Sequence, residues 1–179
     1  MKFGNLTFVH AKEAQELLPV PVRDCLEKTG LWDEVEVAEI DPGLADTAAF
    51  CDHYGIGLDV SANCVVMQAR RGERTTFVAC VVLATTRADV NGIIKKQVDA
   101  RKISFASMDA AVSLTGMEYG GITPVGVPAD WVLLIDAQVV EHERLIIGSG
   151  TRGSKLLVTS KLLRDLPGAV IMDITKPAE

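Results

Sequence analysis

The sequence predicts a mixed α+β domain, with seven or eight short strands and scattered helices instead of the regular strand–helix alternation of a doubly wound sheet. Three observations carry this reading. Asn63 to Arg70 and Thr75 to Ala84, both rich in valine and containing Cys64 and Cys80, flank a turn at Arg71-Gly72 and form the clearest hairpin in the chain. Helical spacing occurs only in short segments, three of them closed by glycine. Between residues 116 and 128, Gly116, Gly120, Gly121, Gly126, Pro124 and Pro128 are too dense for regular structure, so a long shaped loop is expected.

In chain order, Glu13 to Leu18 reads as a short helix stopped by Pro19, and Val22 to Thr29 as another ending at Gly30. Val35 to Ile40 alternates apolar and acidic residues, the period of a half-buried strand, and Asp41-Pro42-Gly43 turns the chain. Asp46 caps a helix that runs to Tyr54 and closes at Gly55. In the hairpin that follows, a turn centred on Gly72 would set Cys64 opposite Cys80 as reduced thiols in contact. Thr86 or Asp89 opens a helix whose Val90, Ile93, Ile94 and Val98 share one face. Ser104 to Ala106 is a short strand and Asp109 to Leu114 a helix closed by Gly116. Trp131 to Ile135, Arg144 to Gly148 and Lys155 to Val158 read as strands, Ser160 to Leu166 as a helix, and Ala169 to Ile174 as the last strand.

The chain has 179 residues, enough for one core, so a single domain over 1–179 is expected. A 48% hydrophobic share and a mean hydropathy of +0.23 exclude a disordered chain. The longest apolar run, Phe77 to Ala84, is far short of the ~20 residues of a membrane span. The first residues lack the apolar core of a signal peptide, so a cytoplasmic location and no membrane partner are expected. Cys25, Cys51, Cys64 and Cys80 show no C-x-x-C and no paired histidine spacing, which argues against a metal site and for small buried hydrophobes in a reducing compartment. A thiol-dependent enzyme using Cys64 is the competing reading.

Net charge is 18 − 24 = −6, but it is unevenly placed. Residues 1–60 hold four basic and twelve acidic side chains, net −8, leaving +2 on residues 61–179. Arg87 to Lys102 and Arg144 to Arg164 are locally basic, either as phosphate-facing surfaces or as ordinary solvated faces. The total excludes a tight nonspecific nucleic-acid binder and leaves room for a patch that meets one end of a nucleic acid, with marked salt sensitivity.

Two glycine clusters could carry chemistry. Gly148 to Gly153 satisfies G-x-G-x-x-G, but the strand-like Leu156 to Val158 follows where a dinucleotide fold needs a long helix. A tight connection between antiparallel strands, presenting Arg152 and Lys155, is the better account. Gly120-Gly121-Ile122-Thr123-Pro124 pairs permissive glycines with a proline that holds Thr123 extended. Backbone donors shaped in this way could stabilise the oxyanion formed when an ester carbonyl is attacked; a plain structural turn is the alternative.

Four ordered blocks, residues 101–107 (RKISFAS), 114–126 (LTGMEYGGITPVG), 134–136 (LID) and 148–153 (GSGTRG), resemble the signatures of the YbaK/ProX editing domain. That family comprises free-standing and synthetase-attached domains that hydrolyse mischarged aminoacyl-tRNA. The resemblance covers roughly residues 45–175, with residues 1–44 adding N-terminal helices and a first strand. It implies a compact domain with a barrel-like mixed sheet and a small aminoacyl pocket, needing no cofactor or metal. By the same resemblance Cys64, Ser104, Phe105, Ile122, Thr123, Pro124, Gly148 and Arg152 would meet the substrate, Gly120 and Gly121 would supply oxyanion donors, and Arg101 and Lys102 would contact tRNA. Two positions depart from the pattern. Asn63 stands where the family carries its pocket lysine, and Lys155 stands where some members carry an aspartate. If the two meet across the pocket, Lys155 could supply the cation that Asn63 cannot. The expected activity is deacylation of mischarged tRNA in trans, at the acceptor end and with a synthetase as a candidate partner. A noncatalytic module recognising a charged tRNA end, an aminoacyl-adenylate or a synthetase is the alternative. Asp136, Asp46 and His53 read as structural. The sequence sets neither the amino acid removed nor the oligomeric state.

Overall fold

The structure, a computed structural model, describes residues 1–177. The chain opens with β1 (Lys2–Phe3), β2 (Leu6–Thr7) and β3 (Val9–His10), then α1 (Val20–Thr29), β4 (Val35–Glu39) and α2 (Thr47–Tyr54). The hairpin strands β5 (Ala62–Arg71) and β6 (Arg74–Leu83) lead to β7 (Thr86–Ala88), a π-helical turn at Val90–Ile94, α3 (Lys95–Gln97) and β8 (Lys102–Phe105). There follow α4 (Met108–Thr115), the irregular segment 116–131, β9 (Val132–Asp136), β10 (Arg144–Gly148), β11 (Ser154–Thr159), α5 (Ser160–Asp165), β12 (Ala169–Met172) and β13 (Thr175–Pro177).

The helix ends obey local rules: α1, α2 and α4 each stop at a glycine in the left-handed conformation, Gly30, Gly55 and Gly116. Ser107 caps α4 through a bond from the Ala110 N–H, and Asp89 receives the Gly92 and Ile93 N–H groups at the start of the π-turn. Four expectations need correction. The strand expected over Ala169 to Ile174 ends at Met172 and is not the last, since β13 follows it. Glu13 to Leu18 is two 3₁₀ turns, Ala11–Glu13 and Gln15–Leu17, separated by Ala14 at φ −134°. Asp46 occupies the N-cap position of α2, but its side chain makes no capping bond. The hairpin loop is Gly72-Glu73, closed by Arg71 opposite Arg74, so Cys64 faces Val81 and Cys80 faces Val65. That one-residue difference sends the two thiols to opposite faces of the sheet, Cys64 with the cluster of Ala62 and Val81 and Cys80 with Met67 and Leu134.

One sheet has the order β10-β11-β4-β3, all antiparallel; the other, β12-β9-β6-β5-β8, is mixed, with β6–β9 and β9–β12 parallel. A parallel bridge between Ser61 and Ile146 links the start of β5 to β10. Alternate residues of both sheets, among them Val35, Val37, Val81, Ile135, Leu145 and Leu156, meet in the largest core with Val22 and Leu26 of α1 and Leu162 of α5. The reverse faces are also covered. Ala38, Ile146 and Leu157 pack against Phe8 and Phe50, while Met67, Cys80 and Leu134 pack under Ile94 and Ile174. Burial on both faces explains why these strands read as near-continuous apolar runs. Phe8, from the N-terminal segment, is 1% exposed within the same cluster as Phe50, so the first strands are part of the structure that supports α2.

Candidate functional site

A cavity of about 370 Å³ opens where the start of α2, the first half of β5, the end of β8, the glycine loop and the β10–β11 turn converge. Asn63, Cys64, Phe105, Gly120, Ile122, Gly148 and Lys155 all line it. Asn63 and Lys155, far apart in the chain, thus line one cavity. The β10–β11 pairing sets Gly148 opposite Lys155, and the Ser61–Ile146 bridge brings β10 beside β5.

Lys155 is 7% exposed. Its Nζ donates to the Ala45 carbonyl at 2.9 Å and lies 5.0 Å from the centre of the Phe50 ring. It forms no salt bridge among the described residues. Burial lowers its pKa from the ordinary 10.5; the Cys51 thiol and the Asp46 carboxylate oppose that shift, and Arg152 adds to it. An ammonium has three donors. One is held by Ala45 and the Phe50 face offers a cation–π contact, which leaves donor capacity facing the cavity. Asn63 is oriented as well: the Thr47 hydroxyl donates to its Oδ1 at 2.5 Å, so the amide NH₂ is the end left for a ligand.

The glycine loop is built for close approach. Gly120 has φ +85°, and its N–H makes no hydrogen bond among the described residues. Gly121 plays a different part from the one expected. Its N–H donates to the Glu118 carbonyl at 3.0 Å and its carbonyl accepts from the Gly150 N–H at 2.7 Å, so it is spent on joining the loop to the β10–β11 turn. A Cβ there would lie 2.4 Å from the Thr151 carbonyl oxygen. Gly148 is equally constrained, since its Cβ would lie 2.8 Å from the Gly121 carbonyl oxygen.

Other expected residues fall elsewhere. Arg152 stands at the rim, where Nε donates to the Pro42 carbonyl at 3.2 Å and Nη1 reaches Asp46 at 3.4 Å. Thr123 is fully buried with an unpartnered Oγ1, and Pro124 lines a separate apolar cavity beside Pro21 and Trp131. Ser104, Arg101 and Lys102 line a second, basic cavity. Asp136 is fully buried and accepts from the Ile174 and Gln138 N–H groups, a structural tie. Burial pushes the Cys64 thiol up to about 12, which leaves it a poor nucleophile. Asp46, Thr47 and Tyr119 also line the main cavity, and sequence reasoning does not single them out as site residues. Tyr119, an aromatic amid glycines, carries a local signal; Asp46 and Thr47 look like ordinary helix-start residues.

A model of the aminoacyl-tRNA editing domain matches residues 41–166. The chain belongs to the aminoacyl-tRNA editing domain family. Solved structures share its fold. One described as a candidate trans-editing enzyme for prolyl-tRNA synthetase is 21% identical, with a TM-score of 0.74 over 87% of this chain and 95% of that one. A hypothetical protein is 20% identical, with a TM-score of 0.75 over 87% and 99%. A scaffold from work on epitope backbone grafting is 22% identical, at 0.74 over 87% and 96%. In this editing domain Lys155, rather than the residue at position 63, brings a lysine to the cavity. Among its described residues no helix is long and apolar enough to cross a membrane, and no cluster of three His, Cys, Asp or Glu side chains could hold a metal ion.

Proposed function

We propose that this editing domain is a deacylase that hydrolyses the ester of mischarged aminoacyl-tRNA in trans, acting as one unit in the cytoplasm on the tRNA acceptor end, with a synthetase as a candidate partner. The observation that supports this most is a nearly buried lysine that makes no salt bridge among the described residues and lines the same small cavity as an oriented asparagine amide and Gly120, whose N–H is unbonded among them. A buried cation without a counter-ion is costly, and an anion developing on a bound ester would offset that cost. The cavity lies at the small end of ligand sites, room for a short aminoacyl group with part of its ribose.

In this reading, water attacks the ester carbonyl. Its oxygen bonds to the carbonyl carbon, the carbonyl oxygen takes the negative charge, and the Gly120 N–H and Lys155 ammonium donate to it. Collapse breaks the bond to the ribose oxygen, which takes one of the attacking water's two protons; the other passes to bulk water, and the amino acid leaves as its carboxylate. Asn63 and Arg152 position the ribose and the rim phosphate. Cys64, Phe105, Ile122 and Gly148 form the walls that set the size of the side chain accepted.

The test is a panel of mischarged tRNAs incubated with the pure protein, following loss of the acyl group. Turnover of one or more substrates that falls with Lys155→Met is the expected result. Binding of charged tRNA without turnover across the panel would instead identify the noncatalytic module, a reading that the engaged Gly121 N–H favours by removing one of the two glycine donors expected at the carbonyl oxygen.

A further inference from the structure

The second cavity, about 510 Å³, lies beside β8 and is walled by Arg70, Lys95, Arg101 and Lys102, with the amides of Gln68 and Asn91. Among the described residues no acidic side chain lines it. In the β5–β8 register Arg70 stands directly opposite Lys102, and like charges so placed weaken a strand pair. The adjoining arginines are treated differently: Arg71 and Arg74 both close on Asp99, at 3.1 and 3.8 Å. None of the four basin cations forms a salt bridge among the described residues. A cluster of four cations, two of them opposed across a strand pair, is the arrangement expected where polyanionic charge supplies the missing partner.

The same strand leads into the main cavity. Lys102, Ile103 and Ser104 line the basin, while the next residues, Phe105 and Ala106, line the candidate active site. Phe105 and Tyr119 are both apolar-faced rings at that cavity and are 67% and 57% exposed. At ~3.3 Å per residue, Lys102 and Phe105 are about 10 Å apart along the strand and project to opposite faces of it, so a chain passing from the basin to the rings crosses the open edge of β8, a span of roughly three nucleotides at a stacked rise of about 3.4 Å. A cationic groove followed by exposed aromatic rings is the recognition pattern of single-stranded nucleic acid.

We infer that the unpaired 3′ end of the RNA substrate runs along β8, with its terminal base stacked on Phe105 and Tyr119 and the preceding phosphates held by Arg70, Lys95, Arg101 and Lys102. The inference rests on the reading of this chain as a tRNA deacylase and adds the path that the RNA follows to the site. It makes β8, an edge strand of the sheet, the docking rail, and it explains why a chain of net charge −6 keeps a basin that no carboxylate lines among the described residues.

The experiment uses the full chain, an uncharged single-stranded RNA ending in adenosine, and the matching charged tRNA. Affinity is measured against salt for the wild type, Arg70→Gln/Lys102→Gln, Phe105→Ala and the remote surface control Lys161→Gln. The double variant should bind at least tenfold more weakly at low salt, with a log–log salt slope shallower by about 1.4, or ~0.7 for each phosphate no longer neutralised. Phe105→Ala should bind about tenfold more weakly with an unchanged slope. Lys161→Gln should match the wild type. Because the double variant removes a like-charge opposition, its Tm should be equal to or above that of the wild type, which separates lost docking from lost folding. An unchanged slope and affinity in the double variant overturns the inference, as does loss of binding to a synthetase with RNA binding intact. If RNA binding weakens as expected but no charged tRNA is hydrolysed, the rail stands and the deacylase reading falls. If hydrolysis proceeds with an unaltered KM in the double variant, the deacylase stands and the rail falls.

Discussion

Replacing Lys155 by methionine removes the ammonium while keeping an unbranched side chain of similar length in a site where the lysine is 7% exposed. Two structural effects oppose each other. The Ala45 carbonyl loses its 2.9 Å donor, at a cost of about 1–3 kcal/mol if no water replaces it. The burial cost that lowers the lysine pKa disappears as well, which offsets part of that loss. The net loss should therefore be smaller than that of the donor alone, a Tm displacement below about 12 °C for a chain of this size. Catalysis has no such cancellation. Loss of one charged donor to the developing oxyanion costs on the order of 10²–10³ in rate, measured as single-turnover hydrolysis of whichever mischarged tRNA the wild type cleaves. Stability against pH gives an independent check. Between the lowered folded pKa of Lys155 and the unfolded value near 10.5, the unfolded chain retains a proton that the folded lysine has released, so raising the pH favours the folded state. Below that window both states are charged and the burial cost is borne in full. The wild type should thus gain stability relative to Lys155→Met as pH climbs through the window. A variant that folds and hydrolyses at the wild-type rate would refute the catalytic argument, and parallel stability curves would refute the electrostatic one.

Asn63→Lys alone places a second ammonium in the Lys155 cavity and should lower Tm by several degrees, while Asn63→Lys/Lys155→Asp restores an attractive pair and should recover much of that loss in a thermal melt. Gly121→Ala drives a Cβ to 2.4 Å from the Thr151 carbonyl and should destabilise the chain by about 2–3 kcal/mol in urea titrations, whereas Gly30→Ala, with no atom within 4 Å of its Cβ, should cost only the ~1–2 kcal/mol of its left-handed backbone. Cys64→Ala should keep hydrolysis within a few-fold, and alkylation at pH 8 should leave activity intact because the thiol is pushed up to about 12; rapid inactivation through Cys64 would revive the thiol mechanism.

How much of this is legible in the sequence depends on how local each cause is. The helix ends at Gly30, Gly55 and Gly116 are readable because a left-handed C-cap needs only its own residue. The hairpin is readable as a hairpin, but its register is not. Moving the loop centre from Gly72 to Gly72-Glu73 changes which face each cysteine takes, and composition cannot resolve one residue. The pairing of β13 with β7 and of β3 with β4 is invisible, since two- and three-residue strands carry no period of their own. Asp46 looks like a helix cap because its position is one; only the folded chain shows that Arg152, 106 residues away, draws its carboxylate across the cavity rim.

Convergence at the site follows from the same distinction. The family blocks stand out because glycine-rich turns tolerate few sequences where backbones nearly touch, as Gly121 and Gly148 do against Thr151 and against the loop carbonyls. That Asn63 and Lys155 line one cavity is visible in the sequence only as two departures from a shared pattern, and the structure supplies a physical reason for both. A lysine reaching in from β11 finds an acceptor at Ala45, an aromatic face at Phe50 and a carboxylate field from Asp46, all furnished by α2 and the residues before it. A second lysine at position 63 would share that field with no further acid to offset it. An amide fixed by Thr47 keeps a donor in place without adding charge, so the cavity carries one lysine, now on the strand opposite the one where the family pattern puts it.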